Sequence, residues 1–174
     1  MKRFFALWTA ALMCLAFFNS CEKGYDSTEV DLPPIRLASV NGVEYQLTNA
    51  SFSKKSGDIY FEASTADLNL TIKLIVKDAE WGKEYDLNDD SNCGSKCLHI
   101  LFSDVSKDSY TIGTMGPNQL NVLKEYSNEI RVVEDAKAKI SKNSDGTYSV
   151  SANAEGEGLS FQMDTDNVTR IYQN

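Results

Sequence analysis

Histidine is nearly absent from this 174-residue sequence, which contains only His99. A metal site built from several histidines is therefore excluded, and histidine-dependent catalysis would rest on His99 alone. Positive charge is also scarce, because 17 basic residues stand against 25 acidic ones and give a formal net charge of −8. This balance disfavours nucleic-acid binding, which requires lysine and arginine to neutralise phosphates.

The sequence lacks a hydrophobic run long enough to span a membrane as a helix. Its longest run extends from Phe4 to Phe18, whereas a transmembrane helix needs about 20 residues. Lys2 and Arg3 precede this run and small residues follow it, which is the arrangement of a secretion signal. We therefore expect residues 1–20 to be removed as a signal peptide, and the net charge then becomes −10.

The expected cleavage point resembles a loose bacterial lipobox, Phe18-Asn19-Ser20-Cys21. In such motifs the cysteine is diacylated and becomes the first residue of the mature chain, so Cys21 is the predicted lipidation site. Cys14 is the weaker candidate because it follows bulky Met13 inside the apolar run. Each buried methylene contributes about 0.8 kcal/mol, so two or three acyl chains would anchor the protein to a membrane. The alternative is a secreted protein without a lipid.

A polar, acidic segment with no apolar period follows Cys21 and ends at Pro33-Pro34. We interpret residues 21–34 as the acylated cysteine and a flexible tether. Asp26-Ser27-Thr28 resembles the acceptor motif for O-glycosylation of exported proteins in Bacteroidota. Ser27 is therefore a candidate glycosylation site, and plain tether residues are the alternative.

Residues 35–174 are predicted to form a single all-β domain. Apolar residues alternate with polar ones and turn residues interrupt them at short intervals, without a long helical stripe or an internal repeat. Such a pattern predicts an antiparallel β-sandwich or a lipocalin-like barrel of eight to ten short strands. The apolar residues expected to face the core in the first half are Val43, Tyr45, Leu47, Ala50, Phe52, Ile59, Phe61, Ala63, Leu68, Leu70, Ile72, Leu74, Val76, Leu98, Ile100 and Phe102.

In the last third of the chain, alternating apolar and polar residues around Asp145-Gly146 predict a closing β-hairpin. A strand that contains Leu159, Phe161 and Met163 is expected to follow it. The residues of its second strand expected to face the core are Tyr148, Val150, Ala152 and Ala154, and those expected to face solvent are Thr147, Ser149, Ser151 and Asn153. The preceding stretch is ambiguous, because its apolar residues fit both helical and strand spacing. We expect a short helix at about 118–127 that leads into a strand.

Several short stretches resemble small all-β lipoproteins of unknown function from Bacteroidota. These stretches are Val40-Asn41-Gly42-Val43-Glu44-Tyr45, Gly82-Lys83-Glu84-Tyr85-Asp86-Leu87 and Asp145-Gly146-Thr147-Tyr148-Ser149-Val150. The resemblance implies an all-β domain in the cell envelope. It transfers no catalytic residue, because those families mostly lack an assigned activity.

Cys93 and Cys97 are predicted to form a disulfide in the exported protein. On an extended strand their Cα atoms would be about 13 Å apart, beyond the ~7 Å limit for a disulfide, so a turn is required, which Gly94 and Ser95 permit. Thiol exchange is an alternative. A zinc site would need both cysteines, His99 and a carboxylate such as Asp90, and ligands so close in sequence rarely reach tetrahedral geometry.

Two further clusters are candidates for binding. The acidic loop from Asp86 to Asn92 starts like a calcium loop, but Ser91 replaces the expected glycine and Cys97 the expected glutamate. The alternative is a solvated loop of Asx turns. The aromatic residues considered as a sugar-stacking platform are Trp81, Tyr85, Tyr60 and Tyr110, of which Tyr60 is the best candidate for an exposed ring.

These observations predict a lipid-anchored protein of the cell envelope, at the outer membrane, with a non-enzymatic binding or structural role. No cofactor and no metal are expected, and the partner is a glycan, a small ligand or a protein, in addition to the membrane. A ligand-binding barrel and a hydrolase with an unrecognised site are the alternatives. A barrel with an apolar cavity would favour ligand binding, whereas a filled sandwich with a bare edge strand would favour protein assembly.

Overall fold

Twelve β-strands and a single helical turn make up the part of the chain that the computed structural model describes, residues 35–93, 97–113 and 118–171. Only the backbone is described at Asp90 and Cys93. The elements are β1 (Arg36–Val40), β2 (Val43–Gln46), β3 (Asn49–Lys55), β4 (Asp58–Ser64), β5 (Leu70–Val76), β6 (Glu84–Asp86), α1 (Asp90–Cys93), β7 (Leu98–Phe102), β8 (Ser109–Ile112), β9 (Gln119–Lys124), β10 (Ser127–Lys142), β11 (Tyr148–Gly156) and β12 (Leu159–Arg170).

The strands form two sheets that share their longest members. The first sheet has the order β6-β10-β11-β12-β1-β2, and the second has the order β12-β3-β4-β5-β7-β8-β9-β10. Because β11 pairs with both β10 and β12, the ladder closes on itself. All pairings are antiparallel except the short one between β12 and β3. The all-β sandwich or barrel-like domain expected from the sequence is confirmed.

The strand count and strand lengths differ from the prediction of eight to ten short strands. The sixteen residues of β10 and the twelve of β12 run from one sheet into the other. The register of β10 against β11 shifts between Val133 and Asp135, which marks a bulge at the point where β10 changes sheets. Three-residue β6 and four-residue β8 are too short to produce a clear alternation, so the sequence did not predict them.

The core lies between the two sheets and is filled by large apolar side chains. Its largest fully buried members include Phe52, Phe61, Phe161, Leu47, Ile59, Leu70, Ile72, Leu74 and Ile100. The turn that joins β3 to β4 has positive φ angles at Ser56 and Gly57, 54° and 100°. A two-residue turn of this kind matches the twist of the flanking strands and fixes their register.

The closing hairpin has the predicted parity. Tyr148, Val150, Ala152 and Ala154 are buried, and Asp145-Gly146 forms the turn. The alternate residues from Thr147 to Asn153 are half-buried rather than fully exposed. The reason is that β11 is a central strand, with longer side chains from β10 and β12 on both sides of it.

The predicted helix at 118–127 is wrong. These residues form β9 and a turn at Glu125-Tyr126 that leads into β10. Leu120 and Val122 are fully buried, whereas Leu123 is 48% exposed, so burial follows a period of two. Pairing with β8 on one side and β10 on the other satisfies the backbone of β9, and this outweighs the helical spacing of its leucines.

Val43 and Leu68 were expected in the core, and both are exposed. Val43 belongs to β2, an edge strand that pairs only with β1 in the described part of the chain. Leu68 precedes β5 and has a positive φ of 57° in a turn where Asp67 accepts a hydrogen bond from the Asn69 amide. Its side chain therefore does not continue the inward face of the strand.

Candidate functional site

The predicted lipidation and glycosylation sites, Cys21 and Ser27, lie outside the described residues. Cys97 is fully buried, and its sulfur takes part in a disulfide bond. The Cys93 side chain lies outside the described part, so the pairing of Cys93 with Cys97 stays a prediction. Gly113 lies against this sulfur, since a Cβ atom at Gly113 would be 2.6 Å from Cys97 Sγ. Its φ of 84° also favours glycine.

His99 is a half-buried residue of β7 on the outward face of the second sheet. Its Nδ1 atom is 3.1 Å from Thr111 Oγ1 on the adjacent strand, and Lys73 lies opposite it on β5. Among the described residues, no three His, Cys, Asp or Glu side chains are grouped closely enough to hold a metal ion. The surroundings of His99 are those of a strand residue in a polar sheet face.

The acidic loop before β7 uses its side chains to bind its own backbone. Asp86 Oδ1 accepts a hydrogen bond from the Asn88 amide at 2.9 Å, and Asp89 Oδ1 accepts one from the Ser91 amide at 2.9 Å. Hydrogen bonds from Ser91 lower the pKa of Asp89. These contacts are Asx turns, so the described carboxylates stabilise the loop rather than converge on a common point.

The four aromatic residues considered as a stacking platform do not form one surface. Tyr60 is 43% exposed, as predicted, but Tyr85 and Tyr110 are buried. Trp81 packs against Tyr148 with ring centroids 5.0 Å apart, and Lys54 Nζ lies 4.8 Å from its ring. Trp81 is 39% exposed, and its ring is in contact with Tyr148 and Lys54.

A different set of aromatic residues lines an open cleft of about 390 Å³. We call it the aromatic cleft. It is formed by the turn between β1 and β2, by β2 itself, and by the segment from the end of β7 to β8. Its lining residues are Val40, Asn41, Val43, Tyr45, Phe102, Ser106, Lys107, Asp108 and Tyr110.

Two rings form the wall of the aromatic cleft. The centroids of Tyr45 and Phe102 are 5.7 Å apart and their planes are tilted by 58°. Both side chains pack against the core and are half-buried. Tyr45 is accessible because β2 is an edge strand, and Phe102 because β7 ends there.

The floor of the cleft is a hydrogen-bonded tyrosine. Tyr110 Oη accepts a hydrogen bond from Asn41 Nδ2 at 3.0 Å and donates one to Gly158 O at 3.3 Å. Asn41 Oδ1 also accepts a hydrogen bond from the Ser160 amide at 2.8 Å. Burial raises the pKa of Tyr110 above its ordinary value. The phenol is protonated at neutral pH, and its hydrogen bonds to Asn41 and Gly158 hold it in position.

One cation lies above the two rings. Lys107 Nζ is 5.2 Å from the Phe102 centroid and 5.7 Å from the Tyr45 centroid, distances at which a cation is attracted to an aromatic face. The loop is held by Asp104, which accepts hydrogen bonds from the Ser106 amide and hydroxyl. These bonds lower the pKa of Asp104, and the charge of Lys107 adds a smaller effect. Lys107 forms no salt bridge with any described carboxylate.

Sequence reasoning missed the aromatic cleft, because Tyr45 and Phe102 were both expected in the core. Their alternation with polar residues indicates only which face of a strand they occupy. The available signal was the Asp104-Val105-Ser106-Lys107-Asp108 segment, whose composition is typical of an exposed turn with a projecting cation.

Comparisons of this chain with protein-family models, with curated proteins and with solved structures find no match. Within the described residues, no helix has the length and apolar character that crossing a membrane requires.

Proposed function

We propose that this chain is a lipid-anchored protein of the cell envelope that binds an acidic saccharide, without catalysis, in the aromatic cleft. The observation that supports this function is the combination of two neighbouring half-buried rings with a cation near both, which forms no salt bridge with any described carboxylate. Sugar rings place their C–H faces on aromatic side chains, and a sugar carboxylate would pair with Lys107.

Polar groups at the rim of the cleft suit the remaining hydroxyls of a sugar. Ser106 carries a hydroxyl, and Asp108 has a carboxylate whose nearest cation, Lys124 Nζ, is 3.9 Å away. Hydrogen bonds of sugar hydroxyls to a carboxylate are stronger than those to a neutral acceptor. The cleft volume of about 390 Å³ lies within the ~300–1,000 Å³ typical of small-ligand sites.

The test is titration calorimetry of the exported protein with an oligogalacturonate and with a neutral oligogalactan of equal length. We expect the acidic chain to bind more tightly, and we expect Tyr45→Ala and Lys107→Gln each to weaken this binding by about tenfold or more. Lys107→Gln should also abolish the preference for the acidic chain. The matched controls are Tyr126→Ala and Lys77→Gln, whose exposed side chains lie outside the cleft, and they should bind like the wild type.

Two results would contradict the assignment. One is equal affinity of the wild type and Lys107→Gln for the oligogalacturonate. The other is absence of binding to both oligosaccharides by a protein that melts cooperatively. Lys107→Gln keeps the test valid if Tyr45→Ala loses stability, because Lys107 is exposed.

A second candidate is a role in protein assembly, and an exposed apolar patch on the β9–β10 hairpin favours it. Tyr126 is 91% exposed at the tip, and Leu123, Ile130 and Val132 are each about half-exposed. Patches of this kind often mark protein interfaces. Light scattering of the exported protein and of Ile130→Glu would show whether this patch drives association.

The lipid anchor is proposed at Cys21 from the lipobox-like segment that ends there. Cys21→Ser should leave an unprocessed precursor that takes up no labelled fatty acid, whereas Cys14→Ser should be processed normally. Incorporation of lipid into Cys21→Ser but not into Cys14→Ser would show that Cys14 is the lipidated residue. The outer membrane is the proposed location, and fractionation of the labelled protein tests it.

We also propose that Cys93 and Cys97 form the disulfide in the exported protein. In the chain-entropy relation, a bond that closes so short a loop stabilises the fold by only about 2 kcal/mol, so its main effect is to fix the loop before β7. The intact mass should rise by two hydrogens on reduction. Two free thiols in the natively purified protein, or bound zinc in stoichiometric amount, would disprove the pairing.

A further inference from the structure

A second concave surface lies on the outward face of the first sheet, along β11. We call it the β11 groove. Its volume is about 470 Å³, and its lining residues are Ile35, Lys139, Ser141, Ser149, Val150, Ser151, Asp164, Thr165 and Asp166. It shares Lys139, Ser151 and Asp164 with an adjoining depression of about 240 Å³. It shares no residue with the aromatic cleft.

The groove results from the register of three neighbouring strands. Ser151 of β11 pairs with Lys139 of β10 on one side and with Asp164 of β12 on the other. A small side chain therefore lies between two long ones. Since adjacent strands are about 4.8 Å apart, the Cα atoms of the two walls are separated by about 10 Å.

Opposite charges lie on the facing walls, and each has a neighbour of the other sign: Glu84 of β6 pairs with Lys139, and Arg36 Nε donates to Asp166 O. Lys139 lies on one wall and forms no salt bridge with any described carboxylate. Asp164 and Asp166 lie on the other wall, and the only described donor to the Asp164 carboxylate is Gln162 Nε2, at 3.1 Å. The floor between the walls consists of serine hydroxyls, which can donate and accept hydrogen bonds.

One oxygen of this acidic wall has no hydrogen-bond partner. Asp166 Oδ1 is buried and accepts no hydrogen bond from the described residues. The backbone of Asp166 is already engaged, because its amide donates to Ile35 O and its carbonyl accepts from Arg36 Nε. A carboxylate with an unsatisfied oxygen gains from positive charge nearby, and an ammonium group in the groove beside Asp166 would supply that charge.

We propose that the β11 groove binds a short zwitterionic peptide of about three residues. The α-ammonium group lies at Asp164 and Asp166, and the α-carboxylate lies at Lys139. An extended chain covers about 3.3–3.6 Å per residue, so three residues span the ~10 Å between the walls. The Ser151 hydroxyl faces the peptide amides, and the groove volume suits a ligand of this size.

The test is titration calorimetry of the exported protein in detergent with trialanine, N-acetyl-trialanine and trialanine amide. Trialanine should bind, and blocking either terminus should weaken binding by about tenfold or more, because each terminus meets a wall of opposite charge. Raising the salt concentration should weaken binding further. Equal affinity for trialanine, N-acetyl-trialanine and trialanine amide would overturn the proposal, as would absence of binding to trialanine.

Substitutions on each wall of the β11 groove test the contributions of the two walls to binding separately. Asp166→Asn and Lys139→Gln should each reduce the affinity for trialanine by about tenfold or more, and Lys139→Arg should retain it because the charge is kept. The controls Glu134→Gln and Lys77→Gln change exposed charges outside the groove and should bind like the wild type. Unchanged binding by both Asp166→Asn and Lys139→Gln would overturn the site. Neither result bears on saccharide binding, which uses separate residues.

Discussion

Asn41 connects three parts of the molecule through one side chain. It lies in the turn between β1 and β2 with a φ of 51°, a left-handed conformation that asparagine tolerates better than most residues. Its Nδ2 atom donates to Tyr110 Oη and to Gly158 O, and its Oδ1 atom accepts from the Ser160 amide. This asparagine therefore holds the β1–β2 turn, the β11–β12 turn and the floor of the aromatic cleft together.

We expect Asn41→Asp to destabilise the protein by about 1–3 kcal/mol. Aspartate has the same shape and tolerates the same backbone, but it cannot donate to Tyr110 Oη or to Gly158 O. Urea unfolding followed by circular dichroism measures the change. Asn128→Asp is the matched control, because Asn128 is exposed on β10 and should change stability by less than about 0.5 kcal/mol. Equal effects of the two substitutions would contradict the role assigned to Asn41.

At the scale of elements, β9 shows how a local pattern can mislead. Its leucines recur at a spacing that a helix and a strand both allow, and only the burial of alternate residues separates the two. Leu120 and Val122 are fully buried and Leu123 is 48% exposed. A helix with Leu120 and Leu123 on its buried face would leave Val122 on a different face.

Two adjacent substitutions therefore distinguish strand from helix. Val122→Asp should destabilise the protein by more than about 3 kcal/mol, because it places an unpaired carboxylate in the core. Leu123→Asp should cost less than about 1 kcal/mol, because this side chain is half-exposed. Melting temperatures of the two variants provide the measurement. A larger loss for Leu123→Asp would mean that the parity of β9 is wrong.

At the scale of the whole molecule, several surface carboxylates favour the folded state at neutral pH. Hydrogen bonds from nearby side chains lower the pKa of Asp67, Asp89, Asp104, Glu129 and Asp145. The largest contribution at Glu129 comes from Arg131, whose Nη2 atom is 2.8 Å from Glu129 Oε2. The pKa of Tyr110 is shifted in the opposite sense, because burial disfavours the phenolate.

These shifts predict losses of stability at both ends of the pH range. A carboxylate whose pKa is lower in the folded state stabilises it above the unfolded pKa of about 4, and this contribution is lost as the pH falls through the folded value. A tyrosine whose pKa is raised in the folded state stabilises that state fully below the unfolded pKa of about 10. This contribution is lost as the pH rises through the folded value. Urea midpoints measured from pH 2 to pH 11 should therefore decline below about pH 4 and above about pH 10. Stability that rises as the pH falls from 5 to 3 would contradict the predicted loss at low pH.

The sequence by itself determined the all-β class, and in the closing hairpin it determined the turn at Asp145-Gly146 and the parity of the strand after it. Alternation and turn residues act between chain neighbours, so they can be read without knowledge of the fold. At Val150, for example, a one-residue slip would expose the apolar face of β11, so the pattern allows a single orientation.

The tertiary structure alone decided the strand β9, the edge position of β2 and both candidate sites. Asn41 and Phe102 meet in the aromatic cleft although they are distant in sequence, and Lys139 and Asp164 face each other only because Ser151 pairs with both. The physical reason is that the exposure of a side chain, and the charged side chains opposite it, depend on which strands become neighbours. That choice is made by packing the core and pairing the backbone of the whole domain, and no local pattern encodes it.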